Sequence, residues 1–147
     1  MPKHHRWLIL LGLLGTPVAA PAPAHAQDAF KVVAHPEVPA ASVTRAELSQ
    51  LFLKRKTSWG AGRPVRPVDQ VDRSPTRRTF SQAVHGKPTE SIKSFWQQQI
   101  FSGRAVPPPE KGSDDEVLAF VRATPGAVGY VSRSAAVSGV KVVMVTP

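Results

Sequence analysis

Residues 65–80 pass directly from a short β-like run into a helix, and this junction limits what the chain can fold into. Residues 65–68 read Val-Arg-Pro-Val, and in the segment that follows Phe80, Ala83 and Val84 share one face of a helix. Strands that alternate with helices are typical of α/β folds. A helix that begins directly after a strand also leaves its first backbone N–H groups without partners. We therefore expect an α/β domain with free N–H donors at this junction.

The junction carries the residue types that bind oxyanions. Ser74 and Thr76 supply hydroxyl groups, and Arg73, Arg77 and Arg78 supply cationic groups that suit tetrahedral anions. The unpaired N–H groups and the positive end of the helix dipole attract the same kind of ligand. The sequence therefore predicts that a phosphate-like anion binds here.

A purely structural interpretation of the same residues remains open. Ser74 followed by Pro75 is an ordinary helix start, with serine as the N-cap and proline at the first helical position. Against this interpretation, arginines in a first turn are unfavourable next to the positive end of the helix dipole.

The N-terminal residues have the organisation of a signal peptide. Residues 3–6 are basic, residues 7–14 are apolar, and Ala-His-Ala at residues 24–26 fits a signal-peptidase site. We expect residues 1–26 to be removed and residues 27–147 to form the mature domain. This predicts an exported protein, periplasmic if the source is Gram-negative.

Charge and cysteine content narrow the function further. Removing Lys3 and Arg6 from 19 basic residues leaves 17 against ten acidic ones, a net charge of +7. In an exported protein this excess favours anionic ligands, anionic lipid head groups or an acidic protein surface over nucleic acid. The chain has no cysteine, which excludes disulfides, a thiol nucleophile and a thiolate metal site.

The order of predicted elements supports a single small domain. Two capping boxes, Thr44 with Glu47 and Ser113 with Glu116, mark helix starts. The other predicted elements are strands at residues 30–34, 65–68, 127–131 and 140–145, and helices at residues 75–84 and 89–103. We predict an α/β fold with a small, mostly parallel sheet flanked by helices.

Sequence motifs for catalysis are absent. His35 and His85 are the only histidines after residue 26, and neither has a partner at metal-ligand spacing. Asp69 and Asp72 lie close in sequence, but this spacing does not define an acid–base pair. We therefore expect a binding protein rather than an enzyme, with no metal and no cofactor.

Three segments, in order, resemble signatures of one family. Residues 41–59 resemble its Leu-Ser helix followed by Ile-Phe-x-Gly-Lys-x-x-x-Trp. Ser-Pro-Thr-Arg at residues 74–77, with Phe80, resembles its Ser-Gly-Thr-Arg-x-x-Phe phosphate loop, and residues 125–131 resemble Gly-Ala-Ile-Gly-Tyr-Val. The chain thus resembles the phosphate-binding proteins of Pst-type ABC transporters, within the type II periplasmic binding protein superfamily.

The resemblance implies roles for individual residues. In that family the anion lies between two lobes. Ser74 and Thr76 would donate from hydroxyl and N–H groups, Arg77 would be the cationic fork, and Asp72 would accept a proton from hydrogen phosphate, which sulfate lacks. Pro75 stands where the family has glycine, so one N–H donor is missing. The chain also resembles a single lobe, which implies weaker binding than in an enclosed site.

These observations lead to two functional hypotheses. The first is an exported solute-binding protein that binds phosphate or a similar oxyanion, for phosphate uptake or sensing, with an ABC transporter permease as partner. The alternative is a periplasmic interaction module that keeps the fold but docks an envelope protein or a membrane surface. A homo-oligomer that rebuilds a two-sided cleft lies between the two, and no nucleic acid is expected in any case.

Overall fold

The computed structural model describes residues 29–147, so the predicted signal peptide and its cleavage site lie outside the described residues. The helices are α1 (Arg45–Phe52), α2 (Pro75–Phe80), which continues as a π-helical turn (Ser81–His85), α3 (Thr89–Phe101) and α4 (Asp114–Ala123). The strands are β1 (Phe30–Ala34), β2 (Ser42–Thr44), β3 (Arg66–Pro67), β4 (Asp69–Gln70), β5 (Glu110–Lys111), β6 (Ala127–Ser132) and β7 (Lys141–Thr146). None of the helices within residues 29–147 has the length and apolar character needed to cross a membrane.

The main sheet has five strands in the order β2-β7-β1-β6-β3, and β4 pairs with β5 in a separate parallel ribbon. The two outer pairs, β2 with β7 and β3 with β6, are parallel. However, β1 runs antiparallel to both of its neighbours. The α/β class is confirmed, but the sheet is mixed rather than mostly parallel. A buried strand is a continuous apolar run in either orientation, so the sequence does not reveal this direction.

Helices cover both faces of the sheet. On one face, α1 and α2 enclose an aromatic cluster in which the rings of Phe80 and Tyr130 stack 3.8 Å apart. On the other face, α4 packs so closely on β6 that a Cβ at Gly129 would lie 2.8 Å from side-chain atoms of Val117 and Val68. This close packing fixes the position of α4 on the sheet.

The predicted helix starts are confirmed. The hydroxyls of Thr44, Ser74 and Ser113 each accept a hydrogen bond from the backbone N–H three residues later, at 3.1 to 3.2 Å. The predicted strand at residues 65–68 is shorter, because the chain leaves the main sheet after β3 and pairs β4 with β5 instead. This departure carries the chain from the sheet to the start of α2.

Candidate functional site

Ser74 fixes the junction between β4 and α2. Its Oγ accepts from the backbone N–H of Arg77 at 3.2 Å and donates to Oε1 of Gln70 at 2.5 Å. The hydroxyl is thus engaged by the fold itself, as the N-cap interpretation predicts.

A cavity of about 360 Å³ opens where the first turns of α2 and α4 meet, and we call it the helix-start cavity. Its walls are formed by Gln70, Val71, Arg73, Ser74, Pro75, Thr76, Gly112, Ser113 and Asp114. Residues at the starts of two helices therefore line one space, and the first turn of α4 also carries Asp114, Asp115 and Glu116.

Several donors in this cavity have no acceptor in the part of the chain that the structure describes. Within residues 29–147, the Thr76 side chain makes no hydrogen bond, and the Ser113 hydroxyl accepts from Glu116 N–H without donating to another group. The exposed Arg73 guanidinium makes no ion pair in the same part of the chain. The cavity thus offers hydroxyl and guanidinium donors to a ligand.

Asp114 ties the two sides of the cavity together. Its Oδ1 accepts from Nε2 of Gln70 at 3.0 Å and from the N–H of Ser132 at 3.1 Å, and its Oδ2 accepts from the Ser132 hydroxyl at 2.5 Å. A carboxylate therefore stands among the donors, which makes the cavity less attractive to a fully ionised anion.

Arg77 points away from this cavity into a cluster of carboxylates. It is only 4% exposed, and its Nη1 lies 2.6 Å from Glu110, 3.1 Å from Asp72 and 2.5 Å from the Gln70 carbonyl, while Nη2 lies 3.6 Å from Asp69. Burial lowers the pKa of Arg77, but Asp69 and Glu110 more than offset this and hold the pKa above its usual value. The guanidinium stays charged, and its Nη1 donates to the Gln70 carbonyl and to Glu110 within the protein.

Asp69 links this cluster to the core. Its Oδ1 accepts from the Tyr130 hydroxyl and, at 2.9 Å, from the N–H of Gln70. Burial raises the pKa of Asp69, and the Arg77 charge and the Tyr130 hydrogen bond offset part of that rise. Burial and the Asp69 charge raise the pKa of Tyr130, so the phenol keeps its proton. The loop before α2 is thereby anchored to β6.

The four residues predicted to bind the anion divide between two cavities. Ser74 and Thr76 line the helix-start cavity. Asp72 and Arg77 line a neighbouring cavity of about 270 Å³, together with Lys93, Trp96, Gln97, Ile100, Pro107 and Glu110. The loop therefore presents its hydroxyls on one side and its ion pair on the other.

The start of α4 is the part of the site that the sequence pattern did not indicate. Ser113 and Asp114 line the helix-start cavity, whereas the capping box of Ser113 with Glu116 indicates only a helix start. The same signature marks N–H donors that attract anions. It could have identified a second half of the site, but the sequence does not show that two helix starts converge.

Comparison with known proteins identifies the fold. No protein-family model and no curated protein matches the chain, but solved structures do. An ABC-type phosphate transport receptor from Vibrio cholerae matches with a TM-score of 0.61 at 20% identity over 80% of this chain and 47% of that one. A Clostridium perfringens protein with bound phosphate, assigned as a phosphate ABC transporter substrate-binding protein, matches with a TM-score of 0.59 at 21% identity over 80% of this chain and 46% of that one. PstS from Borrelia burgdorferi gives a TM-score of 0.53 at 17% identity, covering 80% and 47%.

The chain thus has the fold of a single lobe of a periplasmic binding protein. It spans about half the length of the structures that it matches. These structures are phosphate-binding or phosphate-transport proteins by name, and none of them is named as an enzyme. At this identity the similarity establishes the fold, and the ligand has to be argued from the residues of this chain.

Proposed function

We propose that this protein binds phosphate or a similar tetrahedral oxyanion in the helix-start cavity. The observation that carries the proposal is that residues of two helix starts line one cavity together with Arg73, whose guanidinium makes no ion pair within residues 29–147. Backbone N–H groups, hydroxyls and an arginine are the donors that recognise such anions in proteins. Solved structures that share this fold are named for phosphate binding or phosphate transport, which agrees with the same ligand class.

In this proposal, residues of both helix starts contact the anion. Thr76 and Ser113 donate from hydroxyl groups that have no acceptor within residues 29–147, and Arg73 supplies the positive charge. Asp72 and Arg77 act as positioning residues, because their ion pair holds the loop between β4 and α2. The backbone and hydroxyl of Ser74 shape the wall that the anion meets.

Asp114 gives the site a preference for a protonated anion. The P–OH group of a bound hydrogen phosphate donates a hydrogen bond to this carboxylate, whereas sulfate has no proton to donate and is repelled by it. The selectivity that the family resemblance assigned to Asp72 therefore falls to Asp114 in the proposal. We assign this role to Asp114 instead of Asp72 because Asp114 lines the helix-start cavity and Asp72 does not.

The experiment compares phosphate with sulfate at matched ionic strength by thermal unfolding and titration calorimetry. The decisive variants are Arg73→Gln and Thr76→Val. Thr79→Val is the matched control, since the Thr79 hydroxyl bonds to the Pro75 carbonyl of its own helix. We expect phosphate to stabilise the wild type and the control, and both decisive variants to lose most of this effect.

The proposal fails if phosphate and sulfate stabilise the protein equally, or if Arg73→Gln and Thr76→Val respond like the control. A role in phosphate uptake or sensing, with a permease as partner, belongs to the same proposal and requires binding first. Sedimentation with and without phosphate tests whether a second copy closes the cavity.

A second candidate function, docking to a membrane surface, is favoured by an exposed apolar patch at the end of α3. Phe101 is 94% exposed, Ile100 53% and Val106 64%, and Arg104 lies among them. Apolar side chains mixed with a cation suit the surface of an anionic membrane. Flotation with phosphatidylglycerol vesicles checks this, and Phe101→Ser should reduce binding if the patch is the contact.

A further inference from the structure

A larger cavity of about 440 Å³ lies at the opposite end of β6 from the helix-start cavity. Gly126, which precedes β6, lines it, whereas Ser132 at the other end of β6 bonds to Asp114 of the helix-start cavity. We call it the Trp59 cavity, and its walls are Glu37, Val38, Trp59, Arg63, Pro64, Arg66, Ala123, Thr124, Pro125 and Gly126. It is therefore independent of the proposed oxyanion site.

The walls of this cavity come from three segments, residues 37–38, 59–66 and 123–126, which hydrogen bonds hold together. The Trp59 indole N–H donates to the carbonyl of Gly126 at 2.9 Å, and Nη1 of Arg63 donates to the carbonyl of Glu37 at 2.8 Å. A Cβ on Gly126 would lie only 2.2 Å from the carbonyl oxygen of Pro64, so these two backbones are in close contact. The cavity is thus built by fixed contacts between separate segments.

The lining combines an apolar surface with positive charge. Val38, the Trp59 ring, Pro64 and Pro125 provide apolar surface. Two arginines add charge, Arg63 and Arg66, and neither has a carboxylate within ion-pair distance in residues 29–147.

Glu37 is the one acidic side chain on the wall of this cavity, and its carboxylate lies 3.8 Å from the His35 ring. Two guanidinium groups therefore face one carboxylate, and the cavity keeps an excess of positive charge.

We infer that the Trp59 cavity binds small amphipathic carboxylates. The apolar body of the ligand packs on the Trp59 ring and the exposed Pro64. Its carboxylate accepts hydrogen bonds from Arg63 and Arg66. Guanidinium groups match carboxylates in shape and charge, and an aromatic wall favours a flat or flexible apolar group. The volume falls within the range of small-molecule sites, which is about 300 to 1,000 Å³.

The test uses 4-phenylbutyrate as the probe and its neutral amide, 4-phenylbutyramide, as the matched ligand control. Two-dimensional ¹H–¹⁵N NMR follows the Trp59 indole N–H and the backbone N–H of Arg66, which donates to the Gly126 carbonyl at 3.0 Å. We expect saturable shifts of both signals with the carboxylate and weaker binding of the amide. Signals of Thr76 and Ser113 should not move.

Variants then separate charge at the cavity from charge elsewhere. Arg66→Gln should weaken binding of 4-phenylbutyrate by about threefold to tenfold. The effect should lie near the lower value if solvent screens the charge of this exposed side chain strongly. Arg133→Gln removes the same charge at an exposed position just after β6, at the end of that strand away from the Trp59 cavity, and should leave the affinity unchanged. The NMR spectrum also shows whether each variant is folded.

Three results overturn the inference. The first is no saturable shift of the Trp59 indole signal at millimolar 4-phenylbutyrate. The second is equal affinity for the carboxylate and the amide, or no effect of Arg66→Gln. The third is an equal response of the same signals to inorganic phosphate, which would make the cavity an ordinary anion site.

Discussion

Replacing Arg77 by methionine distinguishes a positioning role from a ligand-binding role. Arg77 contacts Asp69, Asp72 and Glu110, and its Nη1 also donates to the Gln70 carbonyl. Methionine keeps most of the apolar stem and removes the charge, so the change isolates the electrostatic contribution. If Arg77 is a positioning residue, the main effect will be on stability.

The expected loss is about 3 to 5 kcal/mol in the free energy of unfolding, because one partner of a buried ion pair remains without its counter-charge. For a domain of this size, that corresponds to a decrease in Tm of roughly 10 to 20 °C. Asp69 is the residue left behind, and burial already raises its pKa. Without Arg77 its folded-state pKa rises further above the unfolded value, so stability is lost as pH rises through that folded pKa. The variant should therefore be more destabilised at pH 7.5 than at pH 5.

Urea unfolding followed by circular dichroism, at both pH values, measures these differences. Arg78→Met is the matched control, since Arg78 is exposed and donates to the Arg73 carbonyl. We expect the control to change stability by less than about 0.5 kcal/mol. The double variant Asp69→Asn/Arg77→Met should recover part of the loss, because it no longer leaves a buried carboxylate unpaired.

Phosphate binding by the Arg77→Met variant tests whether Arg77 contacts the anion. At a temperature where Arg77→Met is folded, the proposal expects phosphate to stabilise it nearly as much as the wild type. A stability loss below about 1 kcal/mol combined with complete loss of phosphate binding would show that Arg77 contacts the anion directly. The carboxylate cluster would then have to release Arg77 on binding, and the assignment of Asp72 and Arg77 as positioning residues would be wrong.

Three further predictions concern stability and its pH dependence. Gly126→Ala should destabilise the fold by about 2 to 4 kcal/mol in urea unfolding, since its Cβ would meet the Pro64 carbonyl at 2.2 Å and its φ is +82°. Burial and the Arg77 charge lower the pKa of His85 to about 4, so its contribution to stability is present above pH 6.5 and is lost as pH falls toward 4. This amounts to at most about 3 kcal/mol, and His85→Gln should show a correspondingly smaller loss between pH 7 and pH 4.5 than the wild type. Ser113→Ala should cost about 1 kcal/mol in the same assay through loss of the cap on α4 and should also weaken phosphate binding.

The local features of the fold were predictable because they depend on a few neighbouring residues. Thr44, Ser74 and Ser113 cap their helices as the sequence indicates. Gly86, with a φ of +64°, ends the predicted second helix, although the last turn is π-helical rather than α-helical. Capping and left-handed termination need only three or four adjacent residues, and a single sequence contains that information.

The features that could not be predicted depend on long-range contacts. Arg77 donates to Glu110, which lies 33 residues later in the sequence, and no pattern near Arg77 predicts this partner. Ser113 meets the loop of Ser74 only because β5 pairs with β4 beside α2. The strand β1 pairs antiparallel with β6 and β7, which lie far from it in the sequence. These contacts and directions are set by how the elements pack. Packing is also the reason that the residues of the predicted anion loop line two different cavities.

The openness of the helix-start cavity limits the affinity that the proposed oxyanion site can reach. The cavity opens widely to solvent in the described lobe, so a bound anion keeps part of its water shell and its charge interactions remain screened. Such a site binds weakly and releases quickly, while the positive net charge of the chain still increases the rate of encounter. Tight scavenging needs an enclosed ligand, whereas reporting a concentration or passing an anion to a partner does not. The open cavity therefore favours sensing or handover over high-affinity capture.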